Sequence, residues 1–334
     1  MYLHMSGCET FNFLPFSFLT VREIMMQQNE VHWSKHYCDL PCHRIVPPSR
    51  KIHAAATGPE EGVRNIPPGS EPLSRWTERQ PRAYGIGTSL YDCDPVTNCT
   101  SGDPVADVYA VVARENSCIL ALADGVGWGE KSRLAARCAV AGCLQYLSSH
   151  LYTANTTHDI MSILLKAFEH AQKCIIDNNA NMTTLCVAIV CQLETCGRWG
   201  LCVVNVGDSL AFTYKTSKVV EEVTIGSHYD NIERDISNPV GSLGPVDGFN
   251  PDLRNLTFSF TVLDSGDIVF LTSDGISDNF DPIIAPCSLC EIPGDHDIPQ
   301  YQAYDTHMER HKTMLDDMTQ VNVARERLKE CTSQ

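Results

Sequence analysis

The sequence has few basic residues for its length. Its 334 residues include 25 Lys and Arg against 41 Asp and Glu, which gives a formal net charge of −16 at pH 7. A charge of this sign repels nucleic-acid phosphates and anionic membrane surfaces, so we expect no nucleic-acid partner. An excess of carboxylates is compatible with binding divalent cations, because these cations prefer hard oxygen ligands.

Long hydrophobic runs are also lacking. The longest, such as residues 185–190, fall far short of the roughly 20 residues that cross a bilayer, so we expect no membrane span. Near the N-terminus, the apolar residues 11–21 follow Glu9 instead of a basic segment, and no small-residue cleavage site is evident. We therefore predict no signal peptide and expect an intracellular, cytoplasmic protein.

Cysteine, by contrast, is abundant, with 16 residues. Most of them lie within apolar patterns, where a reduced thiol behaves as a small hydrophobic group, so disulfides are not the favoured interpretation. Two groups have zinc-ligand or redox residue types. They are His32, His36, Cys38, Cys42 and His43 near the N-terminus, and Cys287 and Cys290 with His296 nearby. Neither has the paired spacing of a standard zinc site, and we interpret both as ordinary chain segments.

The first 80 residues differ from the rest of the chain. They lack sustained periodicity and contain Pro47-Pro48 and Pro67-Pro68-Gly69, which is typical of an extension. We predict that residues 1–80 form a largely flexible N-terminal extension. The folded domain then spans residues 81–334, with its first structural signals near Tyr84.

From Tyr84 onward, strand and helix signals follow one another. Strands are predicted at 108–112 and 118–123, and then helices at 131–151 and 160–175. The later strands lack intervening helices; they are predicted at 185–193, 201–206, 210–214, 256–262 and 268–272. This order favours an α+β fold with helices on the outer faces of antiparallel sheets.

Two of the predicted strands end in Asp-Gly. Asp124-Gly125 follows the strand at 118–123, and Asp274-Gly275 comes two residues after the strand at 268–272. A carboxylate at the end of a rigid strand has a fixed direction, and the glycine lets backbone approach an ion closely. One such pair is usually only a turn. Its repetition with a similar apolar lead-in indicates a divalent-cation site.

At this point the sequence resembles the metal-dependent protein phosphatases of type 2C. The resemblance rests on ordered elements across residues 84–281, which are Ala106-Asp107, residues 122–127, residues 204–209, Leu243-Gly244, Gly266-Asp267 and residues 271–279. It implies a sandwich of two antiparallel β-sheets flanked by α-helices. It also implies hydrolysis of phosphate monoesters on phosphoserine or phosphothreonine of a phosphoprotein substrate.

The resemblance also implies a metal site. Asp107, Asp124 and Asp274, with the backbone carbonyl of Gly125, would hold two Mg²⁺ or Mn²⁺ ions, and Asp124 would bridge them. A metal-bound water would attack phosphorus, so no side-chain nucleophile is expected. Asp278 is either an outer carboxylate that supports these ligands or a capping residue. Asp208 lies in a Gly-Asp-Ser turn that is mainly architectural, and we leave it outside the catalytic set.

The sequence departs from the family pattern at two upstream positions. Gly102 stands near the position of a phosphate-binding arginine, and Ala106 stands where many members have glutamate. Glycine cannot replace the bidentate fork of an arginine, so another basic residue would have to bind phosphate. Lys131, Arg133 and Arg114 are the candidates, with none preferred.

The C-terminal end leaves two alternatives open. Asp316-Asp317 partly matches the last metal ligand of the family, which precedes a terminal strand, and this adds Asp316 to the expected ligands. The spacing of Met308, Leu315 and Met318 favours a helix equally. If the segment is helical, the metal site lacks that ligand, the domain is atypical or incomplete, and an open sheet edge lowers stability.

Two functions follow from this sequence. The first is a Mg²⁺- or Mn²⁺-dependent serine/threonine phosphoprotein phosphatase. The alternative is a catalytically weak or inactive relative that keeps the sandwich as a binding or regulatory module, as Gly102, Ala106 and the C-terminal ligand suggest. Metal-dependent turnover distinguishes the two.

Overall fold

A computed structural model describes residues 39–47, 51–56, 83–89, 95–96, 102, 104–195, 197–224, 239–281 and 307–325. Its strands are β1 (Lys51–Ala56), β2 (Val108–Arg114), β3 (Ser117–Ala123), β4 (Leu185–Gln192), β5 (Trp199–Val206), β6 (Leu210–Tyr214), β7 (Val220–Glu222), β8 (Thr257–Leu263) and β9 (Ile268–Thr272). Its helices are α1 (Glu130–His150), α2 (Thr157–Asp177), α3 (Asp274–Ser277) and α4 (His307–Thr319).

The strands form two antiparallel sheets. The larger sheet has the order β1-β2-β3-β4-β5-β8, and the smaller sheet has the order β7-β6-β9. Helices α1 and α2 cover one face of the larger sheet, and α4 packs on the outer side of the smaller one. The predicted sandwich of two antiparallel sheets flanked by helices is therefore confirmed.

Strand β4 shows why one sheet can support two cores. Its residues Val187 and Ile189 are fully buried on the side of α1 and α2, whereas Cys186 and Ala188 are buried between the two sheets. Successive side chains of a strand point to opposite faces, so a strand covered on both sides reads as a continuous apolar run. The run at 185–190 is thus a central strand.

Helix α2 starts with a capping box. The Thr156 side chain accepts a hydrogen bond from the Asp159 backbone N–H at 3.2 Å, and the Asp159 carboxylate accepts one from the Thr156 N–H at 3.1 Å. These bonds satisfy two backbone donors that a helix start otherwise leaves open. The predicted helix at 160–175 is confirmed, and the cap extends it to Thr157. No helix in the described part of the chain has the length and apolarity that a membrane span requires.

Two segments of the predicted extension contact the folded domain. Cys42 and Ile45 are buried in the core under the larger sheet, and the Cys42 N–H donates to the Asn155 carbonyl at 2.9 Å. Strand β1 pairs with β2 at the edge of that sheet. The segments 39–47 and 51–56, within the predicted extension, thus pack on or pair with elements of the folded domain. His32, His36 and Cys38 lie outside the described residues, as do Cys287, Cys290 and His296.

The C-terminal segment is a helix. Met314 of α4 is buried against the smaller sheet, and the Val220 N–H donates to the Thr319 hydroxyl at 3.0 Å. Of the two alternatives for this segment, the helical one is confirmed and the terminal strand is wrong for residues 307–319. Within the part of the chain that the structure describes, β9 pairs only with β6 and leaves its other edge without a strand.

Candidate active site

The ends of three strands bring Asp107, Asp124 and Asp274 together. Strands β2 and β3 are antiparallel neighbours in which Val108 pairs with Ala123, so Asp107 before β2 and Asp124 after β3 lie side by side. Leu271 near the end of β9 packs against the face of β2 and β3 that is turned towards the smaller sheet. Asp274 begins α3 just beyond β9 and so joins the same group.

The three carboxylates influence one another electrostatically. Burial raises the pKa of Asp124 well above its usual value, and the negative charges of Asp107, Asp274 and Asp208 raise it further. Burial also raises the pKa of Asp107, and the Asp274 charge adds to this rise, while hydrogen bonds with Ser273 and Asp124 oppose it. Like charges close together favour protonation unless a cation balances them. A bound cation would therefore lower the electrostatic free energy of these three carboxylates.

Ser273 holds Asp107 from the opposite sheet. Its hydroxyl donates a hydrogen bond to Asp107 Oδ2 at 2.8 Å, across a sequence separation of 166 residues. Because this bond is made to a carboxylate oxygen, it favours the charged form of Asp107 and fixes its direction. The sequence did not single out Ser273. The only signal was its position next to Asp274.

The backbone of Asp124 is fixed by two threonines at the start of β4. The Asp124 carbonyl accepts from the Thr183 hydroxyl and from the Thr184 N–H, each at 2.8 Å. The Asp124 N–H donates to the Thr184 hydroxyl at 3.0 Å, and that hydroxyl contacts Ser209 Oγ at 2.8 Å. Sequence analysis missed these residues. A polar Thr-Thr pair directly before a central apolar strand was the available signal.

Gly125 lies where a side chain cannot fit. An added Cβ would collide with the backbone carbonyl of Ser132 in the first turn of α1, and it would lie 3.1 Å from Ala106 Cβ. The Ser132 hydroxyl donates to the Val126 carbonyl at 2.8 Å, which ties the helix start to this loop. The glycine thus lets α1 pack directly beneath the carboxylate group.

The Gly207-Asp208-Ser209 turn supports the site from beneath. Gly207 has φ +99°, and its N–H donates to Asn255 Oδ1 at 3.0 Å, while Asn205 and Asn255 both donate to its carbonyl. These bonds agree with the architectural role predicted for the turn. Asp208 is nevertheless buried, and its charge contributes to the raised pKa of Asp124, so it belongs to the electrostatic surroundings of the site.

Asp278 is buried behind Asp274. It starts a 3₁₀ turn over Asp278–Phe280 directly after α3, and its backbone N–H donates to the Asp274 carbonyl. Asp278 therefore lies one helical turn beyond Asp274.

Asp316 lies on helix α4 and not on the predicted terminal strand. It is exposed on α4, a helix that packs through Met314 and Met318 on the far side of the smaller sheet. The charges that raise the pKa values of Asp107 and Asp124 come from Asp274 and Asp208 and not from Asp316. The strand on which this ligand was expected is therefore a helix in this chain, and Asp316 as a metal ligand stays a prediction.

The three candidate phosphate-binding residues lie in different parts of the fold. Arg114 ends β2, and a rise of about 3.3 Å per residue puts it about 20 Å from Asp107 at the other end. This distance excludes Arg114 as a residue that binds the substrate phosphate. Lys131 and Arg133 lie in the first turn of α1, on either side of Ser132; Lys131 is exposed, and Arg133 is 3.5 Å from Glu130.

The side chains as they stand form an acidic cluster and not a finished metal centre. No group of three or more His, Cys, Asp or Glu side chains among the described residues is arranged to hold a metal ion. The oxygen donors and their mutual repulsion nevertheless match the chemistry of a hard divalent cation.

Comparisons with known proteins agree with this architecture. A family model described as Protein phosphatase 2C matches residues 97–330. The PP2C-like domain-containing protein CG9801 of Drosophila melanogaster is 44% identical over 219 residues. This match covers 64% of the present chain and 31% of that relative, so the chain spans less than a third of the relative's length.

Solved structures of phosphatases are similar at low sequence identity. A Toxoplasma gondii phosphatase has a TM-score of 0.42 and 11% identity, covering 59% of this chain and 76% of that one. The Mycobacterium tuberculosis serine/threonine phosphatase PstP/Ppp has a TM-score of 0.38 and 16% identity, with coverages of 66% and 86%. Because the family model spans most of the sequence, the chain belongs to the protein phosphatase 2C family.

Proposed function

We propose that this chain is a Mg²⁺- or Mn²⁺-dependent serine/threonine phosphoprotein phosphatase that hydrolyses phosphate monoesters. The observation that carries the proposal is that Asp107, Asp124 and Asp274 lie close together at strand ends. Their burial and mutual repulsion favour binding of a cation. Family membership supports the same reaction class.

The residues present fit divalent cations by their chemistry. Asp107, Asp124 and Asp274 supply carboxylate oxygens, and the Gly125 carbonyl adds a backbone oxygen beside them. When bound, two such cations would activate water, orient the phosphate and neutralise charge that develops during in-line attack. Asp278, which is buried one turn after Asp274, would help to hold the metal ligands in position.

The chain's own residues orient these donors. The Ser273 hydroxyl favours the charged form of Asp107 and orients its carboxylate, and Thr183 and Thr184 hold the Asp124 backbone through hydrogen bonds. No serine, cysteine or histidine is required as a nucleophile. Lys131 and Arg133, at the helix start beneath Gly125, would balance the substrate phosphate in place of the arginine that Gly102 lacks.

The decisive test measures phosphate release from a phosphothreonine peptide by the full chain with Mn²⁺, and binding of Mn²⁺ by calorimetry. Removing the Asp274 carboxylate in Asp274→Asn should weaken Mn²⁺ binding and lower turnover by about 100-fold or more. Asp264→Asn is the matched control, because Asp264 is an exposed carboxylate paired only with exposed Arg198. EDTA should abolish turnover of the unmodified protein.

A second candidate is a binding or regulatory module without turnover. It is favoured by the absence of a finished metal arrangement among the described side chains and by the position of Asp316 on α4. Folded protein that releases no phosphate above the Asp274→Asn background, with or without Mn²⁺, would support this candidate and contradict the enzyme proposal.

A further inference from the structure

Helices α1 and α2 come into backbone contact at Gly142. A Cβ added to this buried glycine would lie 2.8 Å from the His170 carbonyl oxygen and 2.9 Å from Cys174 Cβ. Cys138 precedes Gly142 by four residues on α1, so both lie on the same helix face. The close approach therefore places Cys138 opposite Cys174.

The two thiols contact each other in this crossing. Cys138 is fully buried, whereas Cys174 is only partly buried, and their side chains are hydrogen-bonded. Asn178 adds an N–H donor 3.8 Å from Cys174 Sγ. Cys174 is thus the less buried member of the pair.

The surroundings of Cys174 favour its thiolate. The hydrogen bond from Cys138 lowers the pKa of Cys174, and the positive charge of Lys173 and the Gly142 backbone act in the same direction. Burial and the negative charge of Asp177 oppose this effect. The pKa of Cys138 is raised by the same thiol contact and by burial, so Cys174 is the nucleophilic member of the pair.

A second thiol cluster provides an internal contrast. Cys42, Cys191 and Cys202 also contact one another, but none is more than 2% exposed. The thiol contact and burial raise the pKa of Cys42, and the pKa of Cys191 is raised as well. Buried thiols of this kind are inert to oxidants, which require an accessible thiolate.

We propose that Cys138 and Cys174 are a peroxide-sensitive thiol pair that forms a disulfide between α1 and α2. In the first step the Cys174 thiolate attacks hydrogen peroxide, so that an S–O bond forms, the O–O bond breaks, and hydroxide leaves and is protonated to water. Cys174 becomes a sulfenic acid.

In the second step the Cys138 sulfur attacks the Cys174 sulfur. An S–S bond forms, the S–O bond breaks, and the released hydroxide takes the Cys138 proton to leave as water. Two thiols and one hydrogen peroxide thus give one disulfide and two waters. The site does not depend on phosphatase activity, because neither cysteine belongs to the carboxylate group.

The experiment treats the full chain with hydrogen peroxide, removes excess peroxide with catalase and blocks free thiols with N-ethylmaleimide. Digestion without reductant and mass spectrometry then identify linked peptides. A Cys138–Cys174 link should be at least about fivefold more abundant than a link within the Cys42, Cys191 and Cys202 cluster. Similar abundance of both links, or no Cys138–Cys174 link in oxidised protein, overturns the proposal.

Variants separate the two steps. In Cys138→Ser, whose hydroxyl can still donate to Cys174, the link should disappear while trapping of Cys174 sulfenic acid by dimedone rises at least about threefold, because the second thiol is missing. Unchanged trapping would contradict the proposal. Cys118→Ala is the control and should keep the link, since Cys118 is also partly buried but burial raises its pKa to about 12.

A labelling rate provides a measurement that needs no variant. In folded, reduced protein at neutral pH, N-ethylmaleimide should modify Cys174 at least about fivefold faster than Cys118. Equal rates would show that Cys174 lacks thiolate character and would overturn the assignment of the attacking thiol.

Discussion

The two sheets of the sandwich are covered to very different extents. The six-stranded sheet is covered by α1 and α2 on one face and by the smaller sheet on the other, and most side chains of β4 and β5 are fully buried. In the smaller sheet the central strand β6 is buried, but no residue of the edge strand β9 is buried and Ile268 is 56% exposed. The carboxylate group joins these unequal halves, because Asp107 and Asp124 lie directly beside strands of the larger sheet and Asp274 follows β9.

This comparison shows where the site is rigid. Asp124 is held by Thr183 and Thr184 inside a closely packed sheet, whereas Asp274 follows a strand with one unpaired edge in the described part of the chain. A ligand bound by all three carboxylates would connect the two halves and stabilise the weaker one by mass action.

The largest expected difference comes from two phenylalanines. Phe168 is fully buried between α2 and the larger sheet, so Phe168→Ala should reduce the free energy of unfolding by about 3–5 kcal/mol. Phe270 of β9 is only partly buried, and Phe270→Ala should cost less than about 2 kcal/mol. Urea unfolding of both variants measures the difference. Equal losses would show that the two halves are equally well packed.

The hydroxyl of Thr184 is expected to have the next largest effect. In Thr184→Val the buried Asp124 N–H loses its acceptor and Ser209 loses a partner, which should cost about 1–3 kcal/mol. Mn²⁺ binding measured by calorimetry should weaken with it. Thr184→Ser keeps the hydroxyl and should retain Mn²⁺ affinity. A valine variant with unchanged stability and Mn²⁺ binding would exclude this positioning role.

The charge of Asp124 predicts a pH dependence of the metal-free protein. Because folding raises the pKa of Asp124 and Asp107, the folded state binds more protons than the unfolded state above the ordinary value of 3.8. The stabilisation is complete below that value and is lost as pH rises through the folded pKa. In EDTA, unfolding free energy should therefore fall with rising pH.

Removing this carboxylate should flatten that dependence. Asp124→Asn should lower the pH slope in EDTA and should also reduce the stabilisation that added Mg²⁺ provides, both measured by thermal unfolding across pH. A slope identical to that of the unmodified protein would show that the repulsion lies elsewhere.

The smallest effect is expected at Asp316. Its side chain is exposed on α4, so Asp316→Asn should change unfolding free energy by less than about 0.5 kcal/mol. Mn²⁺ affinity and any turnover should change less than twofold, because Asp316 is exposed on a helix and is not among the charges that raise the pKa of Asp107 or Asp124. A loss comparable to that of Asp274→Asn would establish Asp316 as a ligand.

Much of the larger sheet was predictable from local patterns. The apolar runs of β3 and β4 and the helical spacing along α2 identified these elements to within a few residues. Strand β1 escaped prediction because its sequence KIHAAA has little β propensity and lies at a sheet edge, and β7 has only three residues. Pairing with a neighbour, which no local pattern reveals, defines both strands.

The sequence alone determined the order of the main elements and marked Asp124 and Asp274, because strand periodicity and strand-end Asp-Gly pairs are local features. Asp107 became a candidate only through the resemblance to the type 2C phosphatases. Only the tertiary structure decided which distant groups support them. Ser273 contacts Asp107 across 166 residues, Thr184 fixes Asp124 across 60, and the helix crossing at Gly142 brings Cys138 to Cys174. The C-terminal segment was undecided for the same physical reason. The match of Asp316-Asp317 to the family pattern favoured a strand and the apolar spacing favoured a helix, and Met314 of the observed helix packs on the smaller sheet.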